Sequence, residues 1–223
     1  MKTESFEHNG YIATVVLPDE PNGKWIWKTE FLYAFDQAER ALFDMGYTRV
    51  YYQISDMYGS DRSVRLMREF HRELLKRYSW LDEKTILFGF SRGALYAFNY
   101  ALFYPESVSK IYFDAPVLNL KSWPKRETAE FTQFLREYNL CEETLKSFKD
   151  SPKDRIEEFS RNGIPILIVA GDSDATVPYK ENGKLMVDYY KKKELKITVF
   201  VKKGCGHHPH SLEDVNPIVT FVE

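Results

Sequence analysis

The segment Gly89-Phe90-Ser91-Arg92-Gly93, reached directly from the apolar run Thr85-Ile86-Leu87-Phe88, constrains the fold more than any other stretch of this chain. The run reads as a strand, and Ala94-Leu95-Tyr96-Ala97-Phe98-Asn99-Tyr100-Ala101-Leu102 reads as a largely apolar helix suited to burial against a sheet. The residues between them form a sharp turn at the sheet edge with Ser91 held up on it. Glycine at position 89 lets the helix pass close to the strand end, glycine at 93 relieves crowding in the first helical turn, and Ser91 takes up a strained backbone. A serine hydroxyl is a weak nucleophile by itself. The spacing therefore has chemical meaning if the turn aims Oγ at a base and a backbone N–H at a developing oxyanion.

Two later loops carry the groups such a serine needs. The apolar run over residues 164–170 ends in Gly171-Asp172-Ser173-Asp174-Ala175-Thr176-Val177-Pro178, which places carboxylates at a strand's C-terminal end. The run over 196–201 leads into Gly204-Cys205-Gly206-His207-His208, a glycine-bent loop carrying histidine. The order serine, acid, histidine is the one a strand–turn–helix serine requires. Elsewhere the pattern predicts strands at 11–17, 49–54, 85–88 and 110–114 and helices at 30–45, 63–78 and 92–104. Such alternation argues for a mostly parallel sheet covered on both faces.

Taken together, Gly-x-Ser-x-Gly, Gly-Asp-x-Asp-x-x-Val-Pro and Gly-x-Gly-His, each after an expected strand, resemble the α/β-hydrolase superfamily over nearly the whole chain. The type is that of single-domain serine esterases of the prolyl-oligopeptidase-like and bacterial-esterase branch. The resemblance implies an α/β-hydrolase fold, with Ser91 as nucleophile, Asp174 as acid and His207 as base. Asp172 is the weaker acid candidate, and Asp114, at the end of the 110–114 strand, is a reserve because some hydrolases place the acid there. Because 11–17 is the first strand read, the opening antiparallel strands are expected to be reduced. Residues 116–160, too long for one crossover and rich in aromatics, are expected to form a small helical cap. Most of those aromatics should pack the cap onto the main domain; Trp123, near the strand end, is the one expected to reach the substrate.

An oxyanion hole needs two donors. One is expected from the backbone N–H of Arg92, at a helix N-terminus. The other is expected from the loop after the first strand, at Lys24 or Trp25, with Trp25 and Trp27 walling the acyl side; no His-Gly-Gly-Gly motif occurs there. His208 and His210 are read as loop-fixing hydrogen-bonders. No metal is expected, since adjacent histidines do not easily face one ion and no carboxylate or thiolate set accompanies them at ligand spacing. Asp56, Met57, Tyr58 and Gly59 follow a strand end and either border the site or turn the chain.

The 223 residues suit one domain spanning 1–223, and a formal charge of −2 with a pI near 6.3 offers no attraction for nucleic acid or an acidic membrane surface. No stretch has the apolar length of a membrane span, and the first residues lack the apolar centre of a signal peptide, so a cytoplasmic location is expected. Cys141 and Cys205 are expected to be reduced thiols. The leading reading is a serine hydrolase acting on a small carboxylic ester through an acyl-enzyme, without a cofactor. An amidase or peptidase with the same triad is the alternative, less favoured without a gating domain; a non-catalytic binding protein on the same scaffold is another. Nothing in the sequence specifies an oligomeric state.

Overall fold

Strands buried on both faces form the centre of a sheet, and those buried on one face form its edges. In the computed structural model, which describes residues 1–223, every residue of β3 (Trp25–Lys28), β5 (Thr85–Phe90) and β7 (Ile166–Gly171) is buried, whereas β1 (Lys2–His8) alternates between exposed and half-buried. With β2 (Tyr11–Leu17), β4 (Thr48–Tyr52), β6 (Val108–Asp114) and β8 (Thr198–Lys202) they form one eight-stranded sheet of order β1-β2-β4-β3-β5-β6-β7-β8. β1 and β2 form an antiparallel hairpin and β2 runs antiparallel to β4; every pairing from β4 to β8 is parallel.

Parallel neighbours require crossovers, and helices supply them. They are α1 (Gln37–Asp44), α2 (Asp61–Arg77), α3 (Gly93–Phe103), α4 (Ala129–Glu137), α5 (Glu142–Ser147), α6 (Ile156–Ser160), α7 (Gly183–Lys192) and the terminal α8 (Asn216–Val222). The two-residue period of the strands sorts side chains to two layers. Trp25, Trp27, Ile111, Phe113, Ile166 and Ile168 face the larger core with α2, α3, α6 and α7, while Ile26, Tyr112, Leu167 and Val169 face a smaller one with α1 and α8. The sequence of α2 suits it to packing on the sheet. Ser60 Oγ accepts from Ser63 N at 3.3 Å, Lys76 and Arg77 sit in its last turn, and Val64, Met67, Phe70, His71 and Leu74 form its buried stripe.

His71 is a polar group inside that apolar layer. Its Nε2 lies 3.0 Å from Glu83 O, which can only accept, so Nε2 carries the proton and Nδ1 accepts from Tyr100 Oη at 2.6 Å. The neutral ring is thus satisfied, and burial lowers its pKa from 6.5 to about 4. A depressed histidine pKa means that the unfolded chain takes up the proton first as pH falls. The stability this group contributes should be intact above pH 6.5, decline from there to about pH 4, and be constant below, a loss on the order of 3 kcal/mol. Glu30 and Glu39, whose pKa values are raised chiefly by burial, have the opposite sign and lose stabilisation as pH rises. Urea titrations of the wild type and of His71→Gln across this range isolate the histidine. Equal pH slopes for the two would show that its protonation does not govern acid stability.

The N-terminal region departs from the sequence reading. Three strands precede β4 rather than one, so the opening antiparallel strands are not reduced: β1 pairs with β2 without a break from Lys2↔Leu17 to His8↔Tyr11. Lys2 and Glu4 share the inner-facing positions of this edge strand with Phe6 and His8 and so hide its period, and β3, four residues long, is too short to show one. The loop that leaves the first parallel strand is therefore 29–36, and the helix begins at Gln37 rather than at 30. Within 116–160, α4 and α5 gather Phe131, Phe134 and Leu145 against Tyr58, Leu95, Val117 and Val177, a cluster of its own. α6 instead joins the main core, with Phe159 stacked on Phe98 at 4.3 Å. No helix is long and apolar enough to cross a membrane.

Candidate active site

The end of β5 turns sharply at Ser91, whose φ of +49° lies in the left-handed region that a non-glycine residue rarely adopts. The turn is held on both sides: Ser91 N donates to Asp114 O at 2.8 Å, and Ser91 O accepts from Ala94 N at 3.1 Å and Val117 N at 3.0 Å. The flanking glycines answer close approaches. A Cβ on Gly89 would stand 2.9 Å from Ala94 Cα, and one on Gly93 would stand 3.0 Å from Thr29 Oγ1 and 3.1 Å from Glu30 Cβ. At Gly93 the loop after β3 is what a side chain would meet.

Three side chains from three strand ends meet here. His207 Nε2 lies 3.0 Å from Ser91 Oγ, and His207 Nδ1 lies 2.7 Å from Asp174 Oδ2. An ionised carboxylate only accepts, so Nδ1 carries the proton and Nε2 presents its lone pair to the Ser91 hydroxyl. Asp174 is aimed by its loop, its Oδ1 accepting from Thr176 N and Val177 N at 2.8 Å each. The acid is almost fully buried and His207 keeps one edge open. Asp172 does not reach the histidine ring. Its Oδ1 accepts from Gly204 N at 2.7 Å, tying the acid loop to the histidine loop. Asp114 makes no hydrogen bond to His207. It accepts from His210 Nδ1 at 2.7 Å, from Ser211 N at 2.7 Å and from the Tyr112 hydroxyl, which makes His210 a fixing group for the same loop.

The loop over 29–36 stands opposite Ser91 and is clamped from behind. Lys28 Nζ donates to Ala34 O at 2.8 Å and pairs with Glu39; Arg49 Nη2 donates to Leu32 O at 3.1 Å and pairs with Asp36 at 2.8 Å. Thr29 Oγ1 donates to Gly93 O at 2.7 Å, joining the loop to α3. Buried ion pairs add little net stability, but breaking one strands a charge, so they hold the loop in one place. At its inner end Glu30 faces Arg92, with Glu30 Oε1 3.3 Å from Arg92 Nε, and Asp56 Oδ1 accepts from Arg92 Nη1 at 3.0 Å. Burial works against the Arg92 charge, but these two carboxylates outweigh it and raise its pKa above the ordinary value. The Asp56–Gly59 segment thus reaches the site through Arg92, and it also meets the cap where Tyr138 Oη donates to Tyr58 O at 2.8 Å.

The backbone N–H of Arg92 has no acceptor within the protein, and neither do those of Glu30 and Phe31. Trp25 and Trp27 do not serve as expected. Both are about 1% exposed or less within the larger core, and Trp25 Nε1 donates to Asp82 O at 2.9 Å at the other end of the sheet. Their place in the strand β3, rather than in a loop, accounts for the difference. A cleft of about 470 Å³ opens at Ser91 and is bordered by Phe31, Arg92, Trp123, Lys125 and Thr176, so Trp123 does lie on it. Phe31 was not foreseen, although the Trp-Ile-Trp triplet after the Asn22-Gly23 turn signals a strand that would have placed it. A larger groove, about 560 Å³ around Lys110, Ile166, Lys196 and Phe221, lies at the opposite ends of the strands and holds no comparable acid, base and nucleophile.

No protein-family model matches the chain, and no curated protein matches it in sequence. Solved structures match it well. A puromycin-hydrolyzing peptidase of Mycobacterium tuberculosis superposes with a TM-score of 0.72 at 12% identity, covering 98% of this chain and 37% of that one. Dipeptidyl peptidase 4 of Porphyromonas gingivalis gives 0.68 at 12% identity over 98% and 34%, and a carboxylesterase of Lactobacillus plantarum gives 0.69 at 13% identity over 93% and 85%. The chain spans about a third of the length of the two peptidases and most of the esterase. What these likenesses show is the fold, and it is that of the α/β-hydrolases.

Proposed function

We propose that this protein is a serine hydrolase that cleaves a small carboxylic ester. The observation that carries the reading is the hydrogen-bonded series from Ser91, which lines the cleft, through His207 to Asp174. His207 Nε2 takes the Ser91 proton as Oγ bonds to the carbonyl carbon. The oxyanion that develops is received by the N–H of Arg92 and by those of Glu30 and Phe31, in place of the Trp25 N–H expected from the sequence. His207 returns the proton to the departing alkoxide as its C–O bond breaks, leaving an acyl-serine. Water then attacks the acyl carbon, giving its proton to His207, and Ser91 leaves with that proton as the acid is released. Asp174 holds the tautomer and stabilises the imidazolium. Trp123 and Phe31 give the acyl or alcohol group an apolar wall beneath the α4–α5 cap.

The match to nearly the full length of a carboxylesterase favours an ester, while the peptidase matches keep a small amide or peptide as the second reading. The test is a panel of p-nitrophenyl esters of increasing acyl length, with acetylated and methyl-esterified sugars, run beside the matching anilides. We expect kcat/KM for the best ester to exceed that for the corresponding amide by orders of magnitude. Faster turnover of the amides would transfer the assignment to the peptidase reading, and no turnover of either, with no labelling by a fluorophosphonate, would leave a binding protein.

A further inference from the structure

The histidine loop carries more than the base. His207, His208 and His210 each offer a ring nitrogen, and these atoms all lie within 4.8 Å of one another. The rings stand nearly perpendicular in pairs, with centroids 4.9 Å apart for His207–His208, 4.9 Å for His207–His210 and 4.8 Å for His208–His210. The objection that adjacent histidines point apart holds for an extended backbone, and this loop curls instead.

Two of the three are already arranged as metal ligands usually are. His207 and His210 each have Nδ1 bonded to a buried carboxylate, Asp174 and Asp114, at 2.7 Å, which fixes the ring and leaves Nε2 as the lone-pair atom. His210 is 4% exposed at its side chain, and its Nε2 has no partner in the protein. His208 is exposed, stacked on Phe35 at 5.4 Å, and its ring makes no hydrogen bond to the protein. Zinc–nitrogen bonds of about 2.1 Å in a tetrahedron place ligand nitrogens about 3.4 Å apart, so closure around an ion draws the nitrogens together by up to about 1.4 Å. The donor set is neutral nitrogen only, which suits Zn²⁺ and not Mg²⁺ or Ca²⁺.

We propose that His207, His208 and His210 form a Zn²⁺ site through which the cation reversibly switches the catalytic serine off. The fourth position falls to water or to Ser91 Oγ, 3.0 Å from His207 Nε2. The inhibitory part rests on the hydrolase reading: a Zn²⁺ ion on His207 Nε2 occupies the lone pair that would accept the Ser91 proton, so the metal-loaded form cannot generate the nucleophile. The metal-free enzyme is the active one.

The experiment separates binding from activity. The Ser91→Ala protein, stripped with chelator and dialysed, is titrated with Co²⁺ and the visible absorption of a tetrahedral nitrogen site is followed, then displaced with Zn²⁺. One equivalent is expected, with affinity at least tenfold weaker when His208→Ala is added. In parallel, Zn²⁺ should inhibit ester hydrolysis by the wild type, chelator should restore it, and His208→Ala should need at least tenfold more Zn²⁺ for half-inhibition relative to its own metal-free rate. Absence of the tetrahedral cobalt spectrum, or Zn²⁺ affinity unchanged by His208→Ala, would overturn the proposal even if the chain hydrolyses esters. A His208-dependent cobalt site in a chain with no hydrolytic activity would keep the metal site and remove the hydrolase reading instead.

Discussion

Ser91→Ala is expected to abolish ester hydrolysis, a loss on the order of 10⁶ in kcat if the residue acts with His207 and Asp174 as one unit. The fold should survive the change. Ser91 Oγ makes one hydrogen bond, to His207, while the contacts that hold the turn are made by its main-chain N–H and carbonyl. Thermal denaturation should therefore separate lost chemistry from lost structure. A fluorophosphonate should label the wild type at Ser91 alone, because only there does a serine hydroxyl face an imidazole backed by a carboxylate. Labelling at another serine, or activity retained by the alanine variant, would end this assignment.

Asp174→Asn carries the second large effect and discriminates among three carboxylates. Asp174 Oδ1 is held by two main-chain N–H groups, which an asparagine carbonyl oxygen would also satisfy, so the amide nitrogen would be turned toward His207 Nδ1. An amide nitrogen donates, so Nδ1 would have to accept, and the ring proton would move to Nε2, where it faces Ser91. The rate should fall by about 10⁴ with little change in KM. Asp114→Asn should act differently. Asp114 accepts from His210, Ser211 and Tyr112, and an asparagine with one accepting oxygen leaves a buried donor unpaired, a stability cost of about 1–3 kcal/mol. Asp172→Asn keeps a carbonyl oxygen that accepts from Gly204 N–H but loses the carboxylate charge that strengthens this bond, so it should reduce the rate only modestly. A larger rate loss in Asp114→Asn than in Asp174→Asn, in folded protein, would reassign the acid.

The stretches most readable in the chain are those where local chemistry and fold ask for the same residues. β5, the Ser91 turn and α3 announce themselves because a fully buried strand, a close-approach turn and a helix buried on nearly every side follow one another directly, and each needs a distinctive composition. The acid loop is readable for a similar reason, since Asp174 and the two N–H groups that hold it lie within four residues of one another. Lys191 to Lys193 at the end of α7 conform to simple helix-end electrostatics.

Where several distant segments cooperate, local pattern carries little. The helix read from residue 30 begins only at Gln37, because Lys28 and Arg49 satisfy the Ala34 and Leu32 carbonyls, which a helix would have satisfied internally, and Thr29 ties the loop to Gly93 O. Each of those partners is remote in sequence or supplied by burial, and no window of residues contains them together. The same holds for Glu30 with Arg92, for His71 with Tyr100, and for the division of labour between Asp174 and Asp114.

The sequence by itself determined the alternating architecture and the residue types gathered at its strand ends, because periodicity, turn residues and apolar runs act over a few neighbouring positions. Only the tertiary structure decided which carboxylate each histidine meets, which loop stands opposite Ser91, that Trp25 and Trp27 belong to the core, and that three histidine rings face one another. Hydrogen bonds and ion pairs are effective only over a few ångströms, and those distances are set by how the strands are ordered in the sheet, which is a property of the whole chain.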